Sequence, residues 1–376
     1  MSDVYADHNA TAPIRPEAAA AVAHALALGG NPSAVHADGR RIRALVEEAR
    51  ETVAAAIGVS ARNLVFTSGG TEACNLMILG ALEAGASRLL LSALEHDAVW
   101  AAAEEARRRG LPVETLPATP DGVIDLAALE QALAHGPRDT LVALMLAQNE
   151  TGVIQPVAEA SRLVRAAGGL LAVDAVQALG RIGVDLDRLG ADYLAVSAHK
   201  IGGPPGMGAL GLANGAPLAA RQHGGGQELG RRSGTANAPG AAGFAAAVRA
   251  LQAMPDHAAR FEALIEGAGV IIGAKAPRLG QTTCVALPGA RAETLVMALD
   301  LAGVRVSAGA ACSSGKVAAS RGLGAMGVAA ELARGAVRFS FGWTTTADEI
   351  ARAADAWLRL ADRHSARARQ MLEEPA

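Results

Sequence analysis

Short apolar runs recur along the chain at residues 63–68 (NLVFTS), 88–93 (RLLLSA), 140–147 (TLVALMLA), 169–175 (GLLAVDA) and 192–198 (DYLAVSA). Between them lie stretches with helical spacing, such as TEACNLMILGALEAG after the first run and PVAEASRLVRAAGG after the third. Runs without internal alternation, each followed by a helix, predict a mainly parallel sheet covered on both faces, an α/β architecture. The rhythm weakens between residues 251 and 280, where a second unit begins, and the boundary is placed near residue 255. The tail opens with TTTADEI, in which Thr346 and Glu349 have the spacing of a helix capping box, and continues as an amphipathic helix. No fixed-period repeat or low-complexity linker interrupts the pattern.

The polar residues fall where those runs end, as TSGGTE, LEHD, AQNETG, DAVQ and SAHK. In open α/β sheets ligands bind at the carboxyl ends of the strands, so five strand ends converge on one site. In TSGGTEACN, Gly69 and Gly70 let the backbone approach a ligand and the next helix begins near Thr71, which makes an anion cradle. It is neither a Walker motif nor a G-x-G-x-x-G dinucleotide loop, and a plain glycine turn into a helix would read the same. Asp174 ends a strand with no arginine beside it before Arg181, so a cation should face it: a protonated ring nitrogen of a ligand, or a lysine from elsewhere. Lys200 is one of three lysines, with Lys275 and Lys316, in a chain carrying 34 Lys plus Arg. Beside an apolar strand and a glycine loop its amine is suited to a Schiff base with an aldehyde. An anion cradle, a strand-end carboxylate and a reactive lysine are the three groups that pyridoxal phosphate (PLP) needs. His96 suits a flat group stacked on that ring, and a hydrogen-bonded structural histidine is the alternative.

Composition narrows the remaining classes. A chain of 376 residues with 51% hydrophobic content can bury a large core and a smaller second one. A formal net charge of −3 gives no reason to expect nucleic acid or an anionic membrane as the main partner, and a small molecule is expected instead. The N-terminus has no basic stretch followed by an apolar run, and no 18-residue apolar segment is present, so a cytoplasmic location is the expectation. Cys74, Cys284 and Cys312 are an odd number at wide spacing, unlike a disulfide framework or paired metal ligands. Any important cysteine should therefore act as a free thiol. Cys74, inside a helix, and Cys284, in TTCVAL, read as small core residues.

The stretches DHNATAPIRPEA, GNPSAVHADGR, TSGGTEACN, LEHDAV, NETGVIQPV, DAVQALGRI, SAHKIGGPPGMG, GGGQELGRRSGTAN, AACSSGK and RFSFG occur in this order over almost the whole chain. They resemble the cysteine desulfurases, fold type I PLP enzymes of the aminotransferase class V family. The resemblance implies a segment 1–15 packing near the small domain and the site, a large PLP-binding domain over 16–254 with a mainly parallel sheet, and a smaller α+β domain over 255–376. It implies that Lys200 bonds the cofactor aldehyde, Asp174 holds the pyridinium nitrogen and Gln177 the ring oxygen. Gly70, Thr71, Ser197 and His199 would take the phosphate, with Thr235 reaching it from the neighbouring subunit of a homodimer. Arg338 would pair with the substrate carboxylate, assisted by Asn149, while Asn9 lines the pocket. For an arginine between Val337 and Phe339 a buried structural ion pair is the alternative.

Cys312 separates the reactions open to such a site. It lies in VSAGAACSSGKVAASRGLG, a stretch of small residues that reads as a mobile loop. By the resemblance Lys200 removes the α-proton of L-cysteine, His96 shares the acid and base steps, and the Cys312 thiolate takes the substrate sulfur as a persulfide, leaving alanine. The loop departs from the family in Ala310, which stands for a serine, in lacking a proline after the cysteine, and in Gly322 and Gly324. Its length matches the branch that feeds iron–sulfur cluster assembly, an analogy that leaves the sulfur acceptor, scaffold or carrier, unidentified. A transient iron–sulfur cluster on Cys312 leaves no mark in the sequence, and no metal motif is present. Selenocysteine lyase and a class V aminotransferase or lyase without sulfur chemistry share the cofactor site. A hydrolase on Ser197 and His199 lacks the G-x-S-x-G elbow.

Overall fold

The five apolar runs are five strands of one sheet in the computed structural model, which describes residues 3–309 and 320–373. In chain order the strands are β1 (Val4–Tyr5), β2 (Leu64–Thr67), β3 (Arg88–Ser92), β4 (Val113–Leu116), β5 (Thr140–Met145), β6 (Leu170–Asp174), β7 (Tyr193–Ser197), β8 (Gly208–Leu212), β9 (Val270–Ile271), β10 (Thr282–Ala286), β11 (Val304–Arg305), β12 (Ser307–Ala308) and β13 (Ala336–Ser340). The larger sheet has the order β2-β8-β7-β6-β5-β3-β4. Its neighbours are parallel except β8, which runs antiparallel to both β2 and β7. Every residue of β3, β5 and β7 is buried, the consequence of helices on both faces, and this is why those strands read as unbroken apolar runs.

Two strands of this sheet were not predicted. β4 is an edge strand with exposed Glu114 and Thr115, so its pattern carries no buried run. β8 reads Gly-Ala-Leu-Gly-Leu, a composition poor in strand formers. Its glycines answer to packing, because a Cβ on Gly208 would stand 2.6 Å from the backbone of Gly69, and one on Gly211 would stand 2.8 Å from Ile57 Cδ1. The close approach at Gly208 seats the TSGG turn directly over the end of β7.

The second sheet, β12-β13-β10-β9, is antiparallel throughout. The helix Ala347–Glu373 covers it, with Trp357, Phe261, Phe339 and Phe341 fully buried between them. The capping box holds: Glu349 Oε2 accepts from Thr346 N at 2.7 Å and Thr346 Oγ1 accepts from Glu349 N at 3.3 Å. The two sheets fall on either side of residue 255, the division we propose for the two domains. The N-terminal segment joins them: β1 pairs in parallel with β11, Asp7 bridges to Ser340, and the chain then runs to the carboxyl ends of the large sheet at Asn9 and Ala10. No helix among the described residues is long and apolar enough to cross a membrane.

Candidate active site

A cavity of about 470 Å³ opens at the carboxyl ends of β5, β6 and β7. Gly70, Thr71, His96, Asn149, Asp174, Gln177, Ser197, His199 and Lys200 line it from the large sheet, and Asn9 and Arg338 line it from the opposite side. Of the predicted site residues, Thr235 is exposed and not part of this wall, and Cys312 lies outside the described residues. Cys74 is buried in the core as expected, yet its side of the helix also forms wall.

At one end the helix Gly70–Glu83 starts from Gly69 without a side-chain cap, leaving its first amides to a ligand. A Cβ on Gly70 would meet Val176 Cγ2 at 2.8 Å and Ser197 Cβ at 3.5 Å, so only glycine keeps this cradle open. Ser197 Oγ is buried there with no hydrogen-bond partner among the described residues. His199 Nδ1 contacts Thr11 Oγ1 at 3.2 Å, and burial and the charge of Lys200 push its pKa down to about 4, so the ring is neutral at physiological pH. His96 caps the helix Asp97–Arg108, accepting from Ala98 N at Nδ1 (3.1 Å), which places its hydrogen on Nε2.

Along the floor, Asp174 Oδ1 accepts from Val176 N at 2.9 Å and the carboxylate has no ion pair among the described residues. Glu95 and the Cys74 thiol lie beside it, and Lys200 is near enough to feel its charge. Burial and the nearby Asp174 push the pKa of Glu95 well above the carboxylate range, so Glu95 is a neutral acid whose Oε1 accepts from Met145 N at 2.6 Å. Burial, then Asp174, likewise pushes the Cys74 thiol far up. A buried carboxylate flanked by proton-holding groups and facing a cavity is a seat for a cationic ligand atom.

Lys200 follows β7 in a single helical turn, Ala198–Ile201, and its Nζ donates to Asn9 O at 2.6 Å and Ala10 O at 2.9 Å. Burial, then the charges of Arg338 and Arg181, lower its pKa to about 8, against the opposing pull of Asp174 and Asp7. Gln177 Nε2 donates to the same Asn9 carbonyl at 3.0 Å, leaving Gln177 Oε1 buried and unpartnered. The Asn9 side chain is itself pinned, donating to Asn149 O (3.0 Å) and Thr282 Oγ1 (3.1 Å) and accepting from Arg181 Nη1 (2.5 Å).

Arg338 on β13 is 3% exposed and forms the ion pair foreseen as the alternative, Nη2 to Asp7 Oδ1 at 2.8 Å, while Nη1 donates to Asn149 O at 3.0 Å. Its Nε is buried without a partner, and the residue still lines the cavity, so the pairing orients the guanidinium without using all of it. Asp7 also accepts from Ser307 Oγ at 2.9 Å. Sequence reasoning missed Asp7, Ser307, Arg181 and Glu95. A buried arginine requires an acid, and DHNATAP carries one two residues before Asn9; the other three give no comparable signal.

The sequence pattern of the family described as aminotransferase class-V matches residues 4–353. A protein of Cereibacter sphaeroides named cysteine desulfurase is 42% identical over 367 residues, 94% of each chain. A solved NifS-like protein superposes with a TM-score of 0.85 at 32% identity, covering 96% of this chain and 99% of its own. A protein named SspA, solved in complex with cysteine, superposes with a TM-score of 0.80 at 25% identity, covering 90% and 98%.

Proposed function

The chain belongs to the aminotransferase class-V family, among its cysteine desulfurases, and from that premise we propose that with PLP it converts L-cysteine and the Cys312 thiol to L-alanine and a Cys312 persulfide. The observation that carries the reading is the convergence of three unlike groups on one cavity: an open cradle with an orphan hydroxyl, a carboxylate without an ion pair among the described residues, and a lysine of lowered pKa. They fit the phosphate, the ring nitrogen and the aldehyde of the cofactor. Gly70, Thr71, Ser197 and His199 would hold the first, Asp174 the second and Lys200 the third, with Gln177 for the ring oxygen and His96 lining the same cavity. Bound PLP supplies an electron sink that labilises the bonds of an attached amino acid.

The chain's own residues do the rest. Arg338, oriented by Asp7, offers its fork to the substrate carboxylate, a role that suits a planar cation. Lys200, with its pKa near the working range, moves the substrate proton. Cys312, as thiolate, takes the substrate sulfur: the S–S bond forms as the C–S bond breaks, and the carbon left behind takes up a proton to give alanine. Gly309, three residues before Cys312, is tied to β13 through Gly309 N to Ala336 O (2.7 Å), and three residues span at most about 11 Å.

The cysteine complex of the SspA relative supports L-cysteine as substrate. Exposed Thr235, with Leu229 at 66% and Val35 at 82% exposure, supports a homodimer in which Thr235 serves the partner's cradle. The persulfide passes to a sulfur acceptor such as an iron–sulfur scaffold, and a cytoplasmic setting suits free thiols. The test is sulfide and alanine release from L-cysteine and a reductant, for wild type, Cys312→Ala and Cys284→Ala. Cys284 is fully buried, with its thiol pushed up to about 12 by burial, and its variant keeps activity. Equal sulfide from Cys312→Ala and wild type overturns the reading. Running selenocysteine beside cysteine tests the lyase alternative.

A further inference from the structure

The partly buried guanidinium of Arg181 stands behind the site with no carboxylate in ion-pair range among the described residues. Its hydrogen bond goes instead to a neutral acceptor, Asn9 Oδ1 at 2.5 Å. Asn9 is the residue whose backbone carbonyl accepts from both Lys200 Nζ and Gln177 Nε2. A small cavity lies between Arg181, Lys200, His8 and Arg15. The charged groups that act on Lys200 are Arg338 on β13, Arg181 after β6, Asp174 at the end of β6 and Asp7 in the N-terminal segment, with His199 next to it in the chain. His8, the other titratable neighbour, is held neutral at physiological pH, its pKa lowered to about 4 mainly by burial.

Resting on the cofactor reading above, we propose that Arg181 is a positioning residue: it pins Asn9 and places a fixed positive charge behind Lys200, so that the lysine can release its proton to solvent and leave the Asn9 and Ala10 carbonyls as the neutral amine that adds to an aldehyde. Only the neutral amine is nucleophilic, and an ammonium held by two carbonyls is not. A cation is the right device, and arginine the right cation. The Arg181 pKa, lowered by burial and Arg338, stays near 10, so its charge persists while Lys200 titrates. Without Arg181, burial and Arg338 would still oppose Asp174 and Asp7, but more weakly, and a larger share of Lys200 would stay the ammonium at a given pH.

The experiment labels amines of the cofactor-free full-length chain with trinitrobenzenesulfonate from pH 6 to 10 and quantifies Lys200 by peptide mass spectrometry, with exposed Lys275 as the internal reference. The expected result is a Lys200 midpoint near 8 in wild type, raised by about one pH unit in R181Q, a roughly tenfold loss of labelling rate at neutral pH. R181K, which keeps the charge and shortens the fork, stays within about threefold of wild type. An R181Q midpoint equal to that of wild type overturns the proposal, as does an R181K shift as large as that of R181Q. Should R181Q not fold, R181M carries the same expectation. A parallel arm adds PLP to wild type: protection of Lys200 supports the cofactor reading, and its failure overturns that reading while the apo-protein midpoints still decide the role of Arg181.

Discussion

The two walls of the cavity reach the same space by different construction. The large-sheet wall is a set of strand ends: Asp174, Ser197 and Lys200 sit where β6 and β7 stop, and Gly70 where the helix after β2 begins. Asp174 and Ser197 are held by ladder hydrogen bonds within one sheet, Lys200 and Gly70 by the turns that follow β7 and β2, and the Ser197 hydroxyl is left without a partner among the described residues. The opposite wall is assembled from Asn9 and Asp7 of the N-terminal segment, Ser307 of β12 and Arg338 of β13. It is held by side-chain contacts across hundreds of residues of sequence, and its polar groups are mostly satisfied by one another. A group that stays in the site suits a wall of strand ends. A substrate that comes and goes suits a wall whose members hold one another in place between turnovers.

Substitutions on the two walls should therefore fail in different ways. The largest effect is expected of Lys200→Ala, which should lower turnover by at least about 10²–10⁴-fold and abolish visible absorption on adding PLP; turnover within tenfold of wild type would remove the lysine from the chemistry. Arg338→Ala should act on the substrate instead, costing about 1.5–3 kcal/mol of binding, a roughly 10- to 150-fold rise in KM for cysteine with cofactor absorption intact. Loss of cofactor rather than of substrate affinity would erase the distinction between the walls. Stability against pH should single out the large-sheet wall. Below pH 8 Lys200 is charged in both folded and unfolded chains and the native state bears the whole penalty; between about 8 and the ordinary 10.5 the native lysine is neutral while the unfolded one still binds its proton. The apo-protein should gain about 1–2 kcal/mol over that range, allowing for partial exposure of the ammonium, and Lys200→Met should lose the gain in denaturant titrations. The smallest effect is expected of Gly70→Ala, whose methyl group must displace Val176; it should weaken PLP binding by about tenfold, read by equilibrium dialysis, and leave the cysteine KM unchanged.

The same contrast explains what could be read from the chain. Buried parallel strands advertise themselves as apolar runs, and a polar residue ending such a run is conspicuous, so Asp174, Ser197 and Lys200 were legible together. β8 was not, because its glycines are dictated by the approach of Gly69 and Ile57, a three-dimensional fact with no periodic trace. Arg338 could be named from its motif, yet its tie to Asp7 joins residues 331 apart in the sequence. Arg181 and Glu95 act through charge and burial, which composition does not localise. Cys312, the residue on which the sulfur chemistry turns, stands outside the described residues, and Gly309 is where the structure approaches it.

His96 carries two duties with one ring. Its Nδ1 closes the first turn of the helix Asp97–Arg108, while the rest of the imidazole borders the cavity. An evolutionary drift toward phenylalanine or tryptophan, broader surfaces for stacking, would surrender a cap worth about 1 kcal/mol and loosen the neighbourhood of Asp97, to which Arg321 is paired at 2.9 Å. Descent can thus explore new substrates at the other wall more freely than it can redecorate this one.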